Sequence, residues 1–194
     1  MPQSSPEGKS WIRDRVVALG AAQPVSVLDI GPGVGTYAKL LAGPALRRIV
    51  GLEIWEPYVR TYRLHEFYDE VLIGDARKVA LLAADIVILG DVAEHMTESD
   101  AVHLWARCAE AARLAVYLSI PVVHYPQDEI EGNTHEVHVD EDGDHERVLA
   151  SFDGIGEWGG GTEVGVDERR TGGSARSQDS GRPRRSASST TVSS

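Results

Sequence analysis

The sequence has little cysteine and no long hydrophobic run. Its one cysteine, Cys108, excludes an internal disulfide. No apolar run approaches the roughly 20 residues that a transmembrane helix needs, which excludes a bilayer-spanning segment. The first residues, MPQSSPEGKSW, lack the basic and then apolar order of a secretory signal. We therefore expect a cytoplasmic protein with no membrane partner.

Positive charge is also scarce. The chain has 19 Lys and Arg against 30 Asp and Glu, and its formal net charge is −11. Proteins bind nucleic acids mainly through the phosphates, which requires a basic surface. We therefore expect no nucleic-acid partner, and the sequence indicates no particular oligomeric state.

The length of 194 residues suits one domain with a sizeable core. We divide the chain into a flexible N-terminus at 1–9, a folded domain at 10–170 and a disordered tail at 171–194. The tail is rich in Ser and Arg and has no aromatic residue. Such a segment cannot bury enough apolar surface to offset the entropy lost on ordering.

Within the domain, short apolar runs alternate with stretches of helical periodicity. The predicted strands are 26–30, 48–54, 70–74, 85–90 and 114–120, followed by an antiparallel hairpin of 154–158 and 162–169. The predicted helices are 10–19, 37–41, 57–67, 77–82, 98–113 and 144–152. Continuous hydrophobicity in the strands is typical of a parallel sheet buried on both faces. We expect a doubly wound, Rossmann-like α/β sheet of about seven strands with helices on both faces.

Three alternating glycines follow the first predicted strand in the stretch VLDIGPGVGT. They are Gly31, Gly33 and Gly35. A strand that enters such a loop before a helix directs backbone N–H groups at a ligand, and glycine lets the ligand approach closely. A tight turn without a ligand also collects glycines, so the loop alone leaves both interpretations open.

Acidic residues at the tips of four successive strands favour a ligand site. They are Asp29, Glu53, Asp75 and Asp91. Glu53 has the spacing from the glycines at which a carboxylate accepts hydrogen bonds from both ribose hydroxyls. An acidic rim repels the pyrophosphate of a dinucleotide, and the third glycine comes one residue too early for a dinucleotide loop. The pattern favours a cationic sulfonium cofactor.

Five segments together resemble the class I S-adenosylmethionine-dependent methyltransferases. They are VLDIGPGVGTYAKLL at 27–41, GLEIWEPYV at 51–59, IGDAR at 73–77, ADIVILGDVAEHM at 84–96 and YLSIPV at 117–122. The resemblance runs from about Trp11 to Arg169. It implies a seven-stranded sheet with its last strand antiparallel and S-adenosylmethionine as the cofactor.

The resemblance also implies how the methionine end of the cofactor is held. The backbone from Gly31 through Gly33 to Gly35 would pass beneath the methionine portion, with Asp29 supporting the loop. Asp91 would lie near the methionine amino group, close to the transferred methyl.

The same resemblance assigns the nucleoside end. Glu53 would hold the ribose hydroxyls, and Ile54 would pack on the adenine. Asp75 would accept a hydrogen bond from the adenine amino group, while the N–H of Ala76 would donate to the ring.

His95 is the candidate proton acceptor, because it follows the fourth strand at the crevice and titrates near neutral pH. The pair Glu94-His95 resembles a variant found in small-molecule methyltransferases, where these residues often face the acceptor. A histidine held by hydrogen bonds for structural reasons is the alternative. Few catalytic residues are needed, since the cofactor carries its own leaving group.

The segment 127–145 is rich in acids and histidines and has no Lys or Arg. We interpret it as a lid over the acceptor, with His135 as a third candidate catalytic residue. The residues predicted to line the lid are Asn133, His135, Glu136 and His138. An acidic lid favours an amine, or a neutral sugar or polyol, over a phosphorylated acceptor. The alternative is a metal site of these histidines and Glu136 with Asp140, but no compact motif specifies one and we predict no metal.

The sequence thus predicts an enzyme that methylates oxygen or nitrogen of a small molecule. One alternative is a partner subunit that binds S-adenosylmethionine without turnover. Another is a nicotinamide-dependent oxidoreductase, which the glycine spacing disfavours.

Overall fold

The structure is a computed structural model that describes residues 8–121, 127–139, 150–160 and 164–170. Five parallel strands form its centre. They are β1 (Val25–Ile30), β2 (Leu46–Glu53), β3 (Glu70–Ile73), β4 (Ala84–Gly90) and β5 (Ala112–Pro121). Their order is β3-β2-β1-β4-β5, which reverses direction between β1 and β4 and opens a crevice at their carboxyl ends. The predicted Rossmann-like α/β sheet is confirmed.

Two further strands follow β5 at the edge of the sheet. They are β6 (Glu157–Gly160) and β7 (Val164–Arg170). β7 pairs with β5 in antiparallel orientation, and β6 pairs with β7 in the same manner.

Helices cover both faces of this sheet. They are α1 (Lys9–Gly20), α2 (Thr36–Leu41), α3 (Glu56–Thr61) and α4 (Glu98–Ala111). Alternate residues of β4 belong to two separate buried clusters, because successive side chains of a strand point to opposite faces. Ile86 and Ile88 pack with residues of α1, α2 and α3, whereas Val87 and Leu89 pack with α4. Each fully buried side chain of this size contributes about 1.5–3 kcal/mol.

The helix α4 begins where the sequence predicts. The hydroxyl of Thr97 accepts a hydrogen bond from the N–H of Asp100 at 3.2 Å, which satisfies one of the free donors at the helix start. Thr97 therefore caps α4, one of the two residues, Thr97 and Ser99, that the sequence offers for this role.

The predicted helix at 77–82 is wrong. Residues 76–78 form a turn, and residues 80–83 have no regular structure. The carbonyl oxygens of Ala76 and Val79 accept hydrogen bonds from the guanidinium of Arg107 on α4 instead of from a following helical turn.

The predicted helix at 57–67 is interrupted. It divides into α3 and a one-turn helix at Leu64–Glu66. Between them Arg63 has a left-handed φ of 55°, a conformation that an α-helix does not contain.

Some predictions lie outside the described residues. They concern the N-terminus at 1–7, Asp140 with the rest of the lid to 145, most of the helix at 144–152, and the tail at 171–194. Among the described helices, none is both long and apolar enough to cross a bilayer.

Candidate active site

The loop after β1 has a left-handed backbone at all three glycines, with φ values of 68°, 52° and 77° for Gly31, Gly33 and Gly35. A Cβ on Gly31 would lie 2.5 Å from Cγ2 of Val92, and one on Gly35 would lie 3.3 Å from Cδ2 of Leu64. Among the described residues, apart from its chain neighbours, a Cβ on Gly33 would meet only the carbonyl oxygen of Gly31, at 3.9 Å. Protein atoms therefore surround Gly31 and Gly35, whereas Gly33 leaves its backbone open to a ligand.

Glu53 joins this loop to the end of β2. Its side chain is buried, and its Oε1 accepts a hydrogen bond from the N–H of Trp55 at 2.8 Å. Its Oε2 accepts a weaker one from the N–H of Gly33 at 3.3 Å. Burial raises the pKa of Glu53 to about 7. Hydroxyl donors from a ribose would stabilise the charged form of this carboxylate.

Asp29, near the end of β1, contacts Tyr68 next to the loop. The hydroxyl of Tyr68 donates to Oδ2 of Asp29 at 2.5 Å, and the Tyr68 ring lies 3.6 Å from the position of a Cβ on Gly35. Asp29 is 1 % exposed, its Oδ1 has no hydrogen-bond partner in the described part of the chain, and burial raises its pKa to about 7. The supporting role of Asp29 stays a prediction, and its contact with Tyr68 is one that the sequence did not suggest.

Asp91 follows β4 in a strained conformation, with a φ of 55°. Non-glycine residues held in this region cluster at functional sites. Its Oδ2 lies 2.5 Å from Nζ of Lys9, and its Oδ1 accepts a hydrogen bond from the hydroxyl of Ser119. The N–H of Asp91 also donates to the carbonyl oxygen of Ser119 at 2.9 Å. The carboxylate is thus held at the carboxyl end of β4 by contacts with α1 and β5.

Lys9 is a site residue that sequence reasoning missed. It is 4 % exposed, whereas the two other lysines, Lys39 and Lys78, are exposed. Nζ of Lys9 lies 5.7 Å from the centre of the Tyr37 ring. The available signal was its rarity, because the chain has only three Lys among 19 basic residues. α1 begins at this lysine, one residue before the predicted helix.

A second group of titratable residues follows β4 on the one-turn helix Ala93–His95. Glu94 is 8 % exposed, and its Oε2 has no hydrogen-bond partner among the described residues. Burial raises the pKa of Glu94 well above its ordinary value, with the charge of Asp91 as the next cause. A cation beside Glu94 would offset this cost.

His95 is oriented by the lid. Its Nδ1 lies 3.4 Å from the carbonyl oxygen of Val137. A carbonyl oxygen only accepts, so Nδ1 carries the proton and Nε2 carries a lone pair. Nε2 lies 4.0 Å from Oε2 of Glu136. Burial lowers the pKa of His95, which keeps the imidazole neutral near pH 7.

The lid brings His138, not His135, to this group. The rings of His95 and His138 lie 4.9 Å apart, while the ring of His135 packs edge-on against Trp55 at 6.3 Å. The N–H of Val139 donates to the carbonyl oxygen of Glu94 at 2.9 Å, which ties the lid to the residues after β4. The predicted residues Glu94 and His95 therefore lie together, and His135 lies on a different side of the lid.

Two of the residues predicted to bind adenine form hydrogen bonds with arginines of the chain itself. Both oxygens of Asp75 accept hydrogen bonds from the guanidinium of Arg77 at 2.9 Å, which holds the pKa of Asp75 well below its ordinary value. The carbonyl of Ala76 accepts from Arg107 at 2.5 Å, and Ile54 is half-buried next to Glu53. Roles in adenine binding for Asp75, Ala76 and Ile54 stay predictions.

The comparison of sequences identifies the class. Residues 28–115 match the family Methyltransf_11, described as a methyltransferase domain. The matched segment is therefore a methyltransferase domain, as the resemblance predicted, and S-adenosylmethionine is the cofactor that such a domain implies. A search of curated proteins found no match.

Solved structures share the fold at low sequence identity. Magnesium protoporphyrin IX methyltransferase from Synechocystis PCC 6803, with bound S-adenosylhomocysteine, superposes with a TM-score of 0.61 and 20% identity over 84% of this chain and 82% of that one. The N-terminal domain of EvdMO1, solved in the presence of S-adenosylhomocysteine and D-fucose, gives 0.57 and 18% over 87% and 85%. Mitomycin 7-O-methyltransferase gives 0.58 and 20% over 84% of this chain and 55% of that one.

Proposed function

We propose that the chain transfers the methyl group of S-adenosylmethionine to an oxygen or nitrogen atom of a small molecule. The observation that carries this proposal is the pair of groups on either side of Asp91. On one side lie the glycine loop and the buried carboxylates of Asp29 and Glu53. On the other side lie His95 and the lid residue His138. The first group suits a cationic cofactor, and the second borders the place for an acceptor.

The methionine end of the cofactor would lie beside the ion pair of Lys9 and Asp91. The α-ammonium group would pair with Asp91, and the α-carboxylate with Lys9, so that each charge of the amino acid meets its opposite. The backbone at Gly33 would face the methionine chain, since nothing but the loop itself lies where a Cβ would be. Glu53 would accept hydrogen bonds from the ribose hydroxyls.

The catalytic contribution of the protein would be alignment, water exclusion and proton removal. Methyl transfer is an in-line displacement in which the sulfonium leaves as a neutral thioether. The lone pair on Nε2 of His95 would accept the proton of a hydroxyl or ammonium acceptor. Glu94, buried beside it, would stabilise the imidazolium that forms.

The acceptor proposal rests on the acidic lid and on the relatives. Glu136 and Glu131 give the lid negative charge, which favours an amine or a neutral polyol over a phosphorylated compound. One similar structure was solved in the presence of D-fucose, and another is an O-methyltransferase. We extend the same proposal to the sheet: β6 and β7 would complete the seven-stranded sheet with an antiparallel last strand that the resemblance implies.

The test is calorimetric titration followed by an acceptor screen. S-adenosylmethionine should bind the wild-type chain, and Glu53→Ala should weaken binding by about 1–3 kcal/mol, the cost of losing a charged hydrogen-bonding partner. A methyl-labelled cofactor should then label a sugar, polyol or amine in a panel that also holds phosphorylated analogues. Glu56→Ala, an exposed acid three residues away on α3, is the matched control. Unchanged affinity in Glu53→Ala would contradict the ribose assignment, and labelling confined to phosphorylated compounds would contradict the acceptor class.

A further inference from the structure

Three potential metal ligands from two distant parts of the chain meet beside the cofactor crevice. Glu94 and His95 lie on the one-turn helix after β4, and His138 lies on the lid. One ligand atom of each, a carboxylate oxygen and two imidazole nitrogens, lies within 4.8 Å of the others. Sequence reasoning had considered a metal only among lid residues and had predicted none.

The spacing of these atoms fits a single ion. Three atoms no more than 4.8 Å apart lie within about 2.8 Å of a common centre, so each must move by less than about 1 Å to reach zinc bonds of about 2.0–2.1 Å. Rotation of the side chains supplies such a shift without moving the backbone.

The protonation state of His95 is the one that a metal ligand needs. Its Nδ1 faces the carbonyl oxygen of Val137 at 3.4 Å, and its Nε2 lies 4.0 Å from Oε2 of Glu136, which borders the cluster. Metal-binding histidines usually donate their second N–H to a carbonyl or carboxylate in this way, which fixes the ring orientation.

Glu94 supplies an independent observation. Its side chain is more than nine-tenths buried, and its Oε2 has no hydrogen-bond partner in the described part of the chain. A buried carboxylate oxygen without a partner is costly, and the usual solution is a paired cation or a bound metal. The nearby buried cation, Lys9, is paired with Asp91 instead.

Hydrogen bonds hold the lid next to the one-turn helix that carries Glu94 and His95. The N–H of Val139 donates to the carbonyl oxygen of Glu94 at 2.9 Å, so the residues on both sides of His138 are fixed relative to the one-turn helix. Glu136 borders the cluster, with its Oε2 4.0 Å from Nε2 of His95 and 3.3 Å from the side-chain amide of Gln127.

We propose that Glu94, His95 and His138 bind a divalent transition metal of the zinc class, with Glu136 beside an open fourth position. Two imidazoles and one carboxylate are a ligand set that suits zinc, and three protein ligands with an open position are typical of catalytic rather than structural sites. Magnesium prefers oxygen ligands, so the two imidazoles disfavour it.

The metal has a consequence for the acceptor that rests on the proposed function. A hydroxyl oxygen in the fourth position would lose its proton more readily, because the metal stabilises the alkoxide. In the metal-bound state His95 would be a ligand through Nε2 and would not accept that proton, and Glu136, whose Oε2 lies 4.0 Å from Nε2 of His95, would accept it instead. The acceptor class would then be a hydroxyl compound.

The experiment is a titration of the untagged full chain with Zn²⁺ after treatment with a chelator. We expect one equivalent to bind, as measured by calorimetry and by metal content after gel filtration. His138→Ala and Glu94→Gln should each weaken binding at least tenfold. His65→Ala, which removes an exposed histidine from the one-turn helix Leu64–Glu66, should leave the affinity unchanged within twofold.

The outcomes separate the metal proposal from the proposed function. No zinc binding by the wild-type chain, equal binding by His138→Ala and Glu94→Gln, or a preference for Mg²⁺ would each overturn the site. A titration of the same variants with S-adenosylmethionine checks that they are folded, and His138→Ala lies on the lid rather than in the core. Zinc is titrated without cofactor, so the two titrations are independent. If zinc does not bind, the proposed methyl transfer is unaffected, and if the cofactor does not bind, the proposed zinc site is unaffected.

Discussion

Replacing Lys9 by Met should destabilise the protein strongly. The change removes the cation and keeps the length of the side chain, so it leaves Asp91 buried without its charge partner. The two side chains are only 5% and 10% exposed, and their charges lie 2.5 Å apart. At an effective dielectric constant of about 20, this pair attracts by about 7 kcal/mol before the cost of desolvation. Breaking a buried pair from one side typically costs about 3–5 kcal/mol, and we expect that range.

The measurement is urea unfolding followed by tryptophan fluorescence. With a slope of about 2 kcal/mol per molar urea, the midpoint of Lys9→Met should fall by about 2 M. The double variant Lys9→Met/Asp91→Asn should recover most of the loss, since no unpaired charge stays buried. Lys78→Met removes a lysine paired with Asp75 at 3.1 Å, but that lysine is 77% exposed, so it should cost less than about 1 kcal/mol.

Two results would refute this reasoning. One is a free energy of unfolding for Lys9→Met within 1 kcal/mol of the wild type, within the range of an exposed ion pair. The other is a double variant as unstable as Lys9→Met, since the loss would then come from packing in α1 and not from the charge of Asp91.

Three further predictions concern the cofactor loop and the acceptor side. Gly33→Ala should weaken S-adenosylmethionine binding at least tenfold and cost about 1–2 kcal/mol of stability, because a side chain is strained at its φ of 52° and extends toward the cofactor. Cofactor affinity should rise about tenfold from pH 6 to 8, as Glu53, with its pKa raised to about 7, loses its proton. His95→Gln should lower the methylation rate by about 10²–10⁴-fold, and the wild-type rate should reach its plateau at a lower pH than an ordinary histidine would give, since burial lowers the pKa of His95.

Each of these has a control and a contrary result. Gly43→Ala should leave cofactor binding unchanged, because no described atom beyond its chain neighbours lies within 4 Å of the added Cβ. If Gly33→Ala bound the cofactor as tightly as the wild type, that result would argue against an open loop backbone. Glu53→Gln should remove most of the pH dependence, and a steep dependence in that variant would assign it to another group. His65→Gln should keep the full rate; a full rate in His95→Gln would make that histidine structural.

The same raised pKa values predict how stability depends on pH. Asp29 and Glu53 bind protons more tightly in the folded chain than in the unfolded chain, with folded pKa values of about 7. Their contribution to stability is fully present below their unfolded pKa values and is lost as pH rises through about 7. The free energy of unfolding should therefore fall between about pH 4.5 and 7, and less steeply in Asp29→Asn.

The central fold could be predicted because its signals are local. Continuous apolar runs identified β1, β4 and β5 within one or two residues. The spacing of Gly31, Gly33 and Gly35 predicted the loop after β1, whose three glycines have left-handed backbone in the structure. The false helix at 77–82 failed for a non-local reason, since Arg107 reaches back from α4 to take the carbonyl groups there.

The site could be predicted only in part for the same reason. Lys9 meets Asp91 across 82 residues of sequence, a pairing that no local pattern indicates. The sequence analysis placed both His135 and His138 at the acceptor. A one-turn helix at Thr134–Glu136 carries His135, whose ring contacts Trp55, whereas His138 follows that helix and contacts His95.

Without bound cofactor, the buried carboxyl groups of the protein retain protons near pH 7. Near pH 7 a fraction of Asp29 and Glu53 is protonated, and a sulfonium with its ammonium group would displace those protons on binding. The heat measured by calorimetry would then include the ionisation heat of the buffer that takes them up. Titrations in phosphate and in Tris should give different enthalpies for one affinity, and the difference would count the protons released per cofactor.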